Sequence, residues 1–469
     1  MENIKGAEKA LTTYCVWFDY RGLLCRAGID FMRKINIGLL GCGTVGTGVA
    51  RILLEKKDLI SSRIGAELEL KYVADLDVSL DRGISFAEGV FVSDAFKVVD
   101  DPETDIIIEL IGGEKISKDL ILRAIDNKKQ IVTANKALLA SFGNEIFKAA
   151  IVKGVDVAYE ASVGGCMPII KTLRESLVGN QVNSMTGILN GTCNYILSKI
   201  TDDGSTFEAA LLEAQKKGFA EADPTLDIEG LDTAHKLAVI NSIAYGMEIN
   251  LKDIYIEGIS KITPLDIEFA GQFGYRIKLL AISKHRGNSV EARVHPTMIP
   301  FQNLLSNVNG SLNAVTITGD AVGDILLYGK GAGMMPTASA VISDAADLAR
   351  NILCGSVGRV PLLSCQMANI RNIPIMPVDE ISTHYYFRFS SQDRPGVLSK
   401  ISGILGKYGI SLKSVHQKGR KTNGSVPIVM FTHLCREENV KKALDEISKL
   451  DVVSSKPALI RIEDDSDED

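Results

Sequence analysis

A basic excess is missing from this chain. Lys and Arg number 52 against 58 Asp and Glu, a formal net charge of -6, so there is no clustered positive field to hold nucleic acid or an anionic membrane surface. Small molecules are the expected partners. Long apolar runs are missing too, and nothing reaches the ~18 residues that would span a bilayer. The eight cysteines, Cys15, Cys25, Cys42, Cys166, Cys193, Cys354, Cys365 and Cys435, form no CxxC pair and no zinc-like spacing. That excludes a disulfide framework and a structural zinc, and it points to reduced thiols in a cytoplasmic setting. Tryptophan occurs once, as Trp17, in an N-terminal extension (1–33) with neither the apolar core of a secretory signal nor the acid-poor composition of a transit peptide. Because "FMRKINIGLLGCG" reads like an ordinary start at Met32, the extension is expected to be dispensable.

What is present is ordinary globular material, 46% hydrophobic and 23% charged, enough for about three domains at this length. From Lys34, aliphatic strand patterns alternate with helical ones ("KINIGLL", "ELKYVAD", "TDIIIEL", "QIVTANK"), which predicts a parallel sheet covered on both faces over residues 34–155. Residues 156–333 change texture to longer polar-turned strands, an α+β pattern. "PTASAVISDAADLARNIL" predicts a long helix, about 334–354, that returns to the first domain. A proline-containing linker is expected at 355–383, then a compact βαββαβ unit at 384–462 and an acidic, solvated tail at 463–469.

"GCGTVG" sets Gly41, Gly43 and Gly46 in G-x-G-x-x-G spacing, with Thr44 and Val45 between the last two, after a strand and opening a helix. A pyrophosphate on the free N–H groups of that helix start needs this bare turn, so a Rossmann-type dinucleotide domain is expected; a ligand-free glycine turn is the alternative. Asp75, ending "YVAD", is the candidate carboxylate for the ribose hydroxyls. A carboxylate there repels a 2′-phosphate, which favours NAD, while Arg82 leaves NADP open.

"GFAEADPTLDIEGLDTAHKL" crowds Glu221, Asp223, Asp227, Glu229 and Asp232 ahead of Lys236. Asp232 and Lys236 stand four apart and share a face on a helix. By charge pattern alone this is a solvated loop followed by a surface ion pair, worth about 0.3 to 0.5 kcal/mol.

"GLLGCGTVGTGV", "TANK", "YEASVGGCMPII", the acidic stretch and "GKGAGMMPTASAV" occur in the order and spacing of the homoserine dehydrogenases. The resemblance covers about Lys34 to Leu353. "DRPGVL" and the helix after it resemble an ACT domain, and the chain looks like the monofunctional form. The resemblance implies reversible, nicotinamide-dependent reduction of aspartate 4-semialdehyde to homoserine, in threonine and methionine biosynthesis. It implies Lys236 as acid/base, oriented by Asp232, with Lys136 of "TANK" as a second lysine. Glu221 and Asp227 would bind the substrate's ammonium and hydroxyl, leaving Asp223 and Glu229 as loop residues. Thr133 would contact the nicotinamide and Gly333 would close over the cofactor. In "YEASVGGCMPII", the Glu160 carboxylate and the carbonyls of Val163, Gly165 and Met167 would hold a sodium-like ion, whose preference for hard oxygen leaves Cys166 out.

In the C-terminal unit Asp393 is the expected N-cap and Pro395 the first-turn proline, with Val397, Leu398, Ile401, Ile404 and Leu405 as one apolar face. Gly396 would open backbone N–H groups to an amino-acid carboxylate, threonine by the family's logic, unless the unit only dimerises. A homodimer or homotetramer is expected. The competing readings are another amino-acid-aldehyde dehydrogenase and a non-catalytic NAD-binding sensor.

Overall fold

The computed structural model describes residues 32–77, 79–417 and 425–464. The N-terminal extension up to residue 31, with Trp17, and the acidic tail from 465 onward lie outside the described residues.

Six parallel strands form the first sheet: β1 (Lys34–Leu40), β2 (Glu67–Ala74), β3 (Phe91–Val92), β4 (Ile106–Glu109), β5 (Gln130–Thr133) and β6 (Val157–Ala158), in the order β3-β2-β1-β4-β5-β6. Every residue of β4 and β5 is buried, which is why these strands read as unbroken apolar runs rather than alternating ones. The helix Thr44–Glu55 covers one face, and the long helix Met334–Cys354 packs beside it as expected. The two helices meet closely at Gly48, where a Cβ would lie 2.9 Å from Met334. The helices Lys115–Asp126 and Lys136–Lys153 cover the opposite face. Strand order reverses between β1 and β4, so a crevice opens above their carboxyl ends, the place where such sheets bind ligands.

The remaining strands are β7 (Val182–Ile188), β8 (Tyr255–Ile256), β9 (Tyr275–His285), β10 (Val290–Pro300), β11 (Leu312–Gly319), β12 (Gly323–Lys330), β13 (Ser382–Gln392), β14 (Leu412–Gln417), β15 (Ser425–Thr432), β16 (Cys435–Arg436) and β17 (Ala458–Ile462). The predicted βαββαβ order holds in the C-terminal unit, with helices Val397–Lys407 and Glu437–Ile447. The unit also continues the sheet of the domain before it. One sheet runs β12-β11-β7-β9-β10-β17-β13-β15-β14, because β10 pairs in parallel with β17 through Thr297↔Arg461 and Met298↔Ile462. The segment 355–383 is likewise no loose linker: Arg371 bridges to Met247 and Ile375 to Val290. Buried charges clamp the same seam. Arg461, 2% exposed, bonds both Glu437 and Glu257, and Arg388 forks onto Asp266. The first tail residues are docked as well, Glu463 on Arg293 and Asp464 on Tyr275.

Candidate active site

The glycine turn has the geometry a pyrophosphate needs. Gly41 has φ +92, and a Cβ there would lie 2.6 Å from the Leu110 carbonyl; a Cβ on Gly46 would lie 2.1 Å from the Gly41 carbonyl. These two glycines make the turn tight. Gly43 differs: it is exposed, with open space around its Cβ position, so a ligand can reach its backbone. It is the N-cap of Thr44–Glu55 and uses no side chain to cap it. The first-turn N–H groups of that helix, at Thr44 and Val45, therefore face the crevice mouth. Asp75 stands beside them, its Oδ2 accepting the Cys42 N–H at 2.7 Å. Arg82 lies across the same strand end, 3.2 Å from Asp75 Oδ1, with its Nε donating to the Cys42 carbonyl. Gly333 has φ +123 and is the N-cap of Met334–Cys354, the helix that meets the glycine-turn helix at Gly48.

Thr133, the expected nicotinamide contact, is fully buried at the end of β5, and its hydroxyl donates to Glu109 Oε2 at 2.7 Å. Glu109, also fully buried, accepts the Ile111 N–H as well. The pair braces the ends of β4 and β5 below the crevice.

At that end Asn135 caps the helix that Lys136 begins. Lys136 Nζ lies 3.2 Å from Asp232 Oδ1, and Lys236 Nζ lies 2.7 Å from Asp232 Oδ2. Both lysines thus share one carboxylate, through different oxygens. Lys236 also donates to the Leu189 carbonyl at 2.6 Å. Asp232 and Lys236 are each 8% exposed on the helix Leu231–Tyr245, so this i,i+4 pair is no surface decoration. Burial pushes the Asp232 carboxyl up, but Lys236 and Lys136 outweigh it and hold it well below the usual carboxylate range.

The structure also brings in residues the sequence reading passed over. Asn190 Nδ2 donates to Asp227 Oδ1 at 2.7 Å and to Asp232 Oδ2 at 2.9 Å, and Thr192 Oγ1 lies 3.0 Å from Asp227 Oδ2. Burial, then the nearby Asp232, raises the Asp227 carboxyl. Their only signal was an Asn-Gly-Thr run after a strand, which fits any helix N-cap. Asp223 and Glu229 are exposed, as expected of loop residues. Glu221 is exposed on the same stretch and joins none of these hydrogen bonds.

In the cation loop, Glu160 is 3% exposed and accepts the N–H groups of Ile170 and Lys171. Burial, reinforced by Asp344, raises its carboxyl to about 7. Gly164 and Gly165 turn the chain at φ +73 and +61 between Val163 and Met167. No cluster of His, Cys, Asp and Glu that could hold a metal occurs among the described residues.

In the C-terminal unit the predicted cap is corrected. The helix starts at Val397 with Gly396, at φ +85, as its N-cap, so Asp393 is not the cap and Pro395 precedes the first turn. The left-handed glycine moves the start past both. Val397, Ile401 and Leu405 are buried, whereas Leu398 is 41% exposed.

A glycine turn at a strand-order switch, together with two lysines on one buried carboxylate, suits a nicotinamide-dependent oxidoreductase. Family models agree: the homoserine dehydrogenase model matches residues 168–345, the homoserine dehydrogenase NAD binding domain 41–160, and the ACT domain 385–452. The chain is 45% identical over 432 residues to homoserine dehydrogenase of Neisseria gonorrhoeae, covering 92% of this chain and 99% of that one. It is 43% identical over 435 residues to the Pseudomonas aeruginosa enzyme, with the same coverage. Among solved structures, a homoserine dehydrogenase from Thiobacillus denitrificans superposes with a TM-score of 0.87 at 46% identity, covering 92% of this chain and 99% of that one. A hyperthermophilic archaeal homoserine dehydrogenase mutant in complex with NADPH superposes at 0.58, with 25% identity over 67% of this chain and 97% of that one. The chain belongs to the homoserine dehydrogenase family, enzymes of amino-acid biosynthesis.

Proposed function

We propose that Lys236 protonates the oxygen of aspartate 4-semialdehyde as it is reduced to homoserine, and takes that proton back in the reverse direction. The observation that carries this is the single buried carboxylate, Asp232, holding both lysines at 2.7 and 3.2 Å. Alkoxide character develops at the carbonyl oxygen, and a positioned ammonium both stabilises that charge and supplies the proton. The bound nicotinamide dinucleotide supplies or accepts the hydride. Lys136, 40% exposed at the side chain, reaches toward solvent and substrate. Asp227 and Glu221 take the substrate's ammonium and hydroxyl. The test is absorbance at the NADH band when the protein meets homoserine with NAD or NADP. Reduction of either supports the reading; dinucleotide binding without reduction returns the chain to the sensor alternative.

NAD is the favoured cofactor, because the Asp75 carboxylate opposes a 2′-phosphate. The Arg82 guanidinium beside it keeps NADP usable. Arg82→Ala is expected to lower kcat/KM with NADP about tenfold while sparing NAD, the scale of one charge-assisted hydrogen bond; Asp75→Ala should shift the ratio the other way. Equal losses with both cofactors would sink the assignment.

A sodium-like ion at Glu160, Val163, Gly165 and Met167 is supported by the loop's buried carboxylate and its glycine turn. In the C-terminal unit, the helix start at Gly396 carries no side-chain cap, which suits the carboxylate of an amino-acid effector, threonine first. Threonine is expected to raise the melting temperature and change the rate at saturating homoserine. A flat titration in both would leave the unit a dimerisation module. The outer strand β12 exposes Leu326 and Tyr328, which suits assembly as a homodimer or homotetramer.

A further inference from the structure

This inference rests on the reading of Lys236 as acid and Asp227 as a substrate ligand. We propose that Asn190 is a positioning residue for the reaction, whose amide fixes the substrate-binding carboxylate Asp227 relative to the lysine-holding carboxylate Asp232. The amide is 2% exposed and fully engaged. Its nitrogen donates at 2.7 Å to Asp227 Oδ1 and at 2.9 Å to Asp232 Oδ2, and its oxygen accepts the Cys193 N–H at 2.8 Å as the N-cap of the helix Gly191–Asp203. A carboxamide has two N–H donors and an acceptor oxygen, so the three bonds determine which way it faces.

The charge of the residue matters as much as its shape. A neutral double donor bridges two anions and shares Asp232 Oδ2 with Lys236 without adding charge. A carboxylate would add a third anion, and a hydroxyl has one hydrogen to share between two acceptors. The adjacent peptide completes the arrangement, since the Leu189 carbonyl accepts from Lys236 Nζ at 2.6 Å. Residues 189 and 190 therefore hold the ammonium by backbone and its carboxylate by side chain.

The turn itself has little room to move. A Cβ on Gly191 would lie 2.7 Å from the Ser311 carbonyl, and Leu189 follows directly on β7. Thr192 Oγ1 donates to the Phe219 carbonyl at 2.6 Å and Cys193 Sγ to the Asp227 carbonyl at 3.1 Å. These bonds tie the acidic stretch, at Phe219 and at Asp227, to the start of the helix Gly191–Asp203. The anchor for the substrate's ammonium and the donor of its proton are held at one separation.

Two variants test this beside the parent chain. Asn190→Ser keeps an N-cap oxygen but is too short to bridge the carboxylates. Its melting temperature and cofactor affinity should stay close to the parent's, while kcat falls about 10- to 100-fold, the scale of a misplacement of about 1 Å, and KM for homoserine rises severalfold. Asn190→Asp matches the side chain in size but cannot donate when ionised. Its activity relative to the parent should be lowest at alkaline pH and recover in part as pH falls and the new carboxyl gains an O–H. Both variants within twofold of the parent in kcat and KM at every pH would overturn the proposal. So would losses that track only the fraction of protein folded. A parent chain that does not turn over homoserine at all would instead defeat the functional reading on which the inference stands.

Discussion

Lys236→Ala should lower kcat by about 10³-fold, at the upper end of what loss of a general acid and its charge costs. The ammonium it removes is 8% exposed and bonded to Asp232 and the Leu189 carbonyl, so water has no ready access to take its place. Alanine is a better helix former than lysine, and Asp232 keeps Lys136 as a partner, so the helix Leu231–Tyr245 should persist. Dinucleotide affinity should hold, because the glycine turn lies on a different element. Steady-state rates, with cofactor binding measured on the same sample, check both halves. A variant within tenfold of the parent would remove Lys236 from the chemistry. Lys136→Ala, run in parallel, ranks the two lysines by which loss is larger.

Asp232→Asn should cost about 10² in kcat and about 3 kcal/mol of stability at pH 7, since it removes the one anion that two buried or half-buried ammonium groups share. The sign of the pH dependence follows from the depressed carboxyl. Its folded value lies below the unfolded value of about 3.9, so its stabilisation is complete above that pH and is lost as pH falls through the lower folded value. Denaturant melts of parent and variant should therefore be furthest apart near neutrality and converge in strong acid. A constant gap at all pH values would mean that Asp232 acts through packing rather than charge.

Much of this site was legible because local chemistry demands local patterns. The glycine spacing had to precede a helix, and Asp232 and Lys236 had to share a helical face, whatever the rest of the chain did. What stayed hidden was set at long range or by backbone conformation. Asn190 looks like any N-cap, and only the packing of the acidic stretch turns its amide toward two carboxylates. The partner of the Thr133 hydroxyl, Glu109, lies 24 residues earlier in sequence, and nothing local to the motif announces it. The C-terminal helix began two residues after the proline, because Gly396 is left-handed and no side-chain pattern reports a φ angle. Pairing of β10 with β17 depends on backbone groups that every sequence carries.

That pairing makes the C-terminal unit a guard of the second sheet's edge. The outer edge of β10 is covered in patches: Ile375 at Val290, β8 at Arg293 and Val294, and β17 at Thr297 and Met298. Cutting the chain before β13 would strip the last patch and leave Glu257 and Arg293 without the ion partners Arg461 and Glu463. A bare strand edge, beside a buried Arg293 left with Glu291 as its ion partner, is a template for self-association. Such a shortened chain would therefore lose solubility, so the proposed threonine response is testable only by point substitution within the unit.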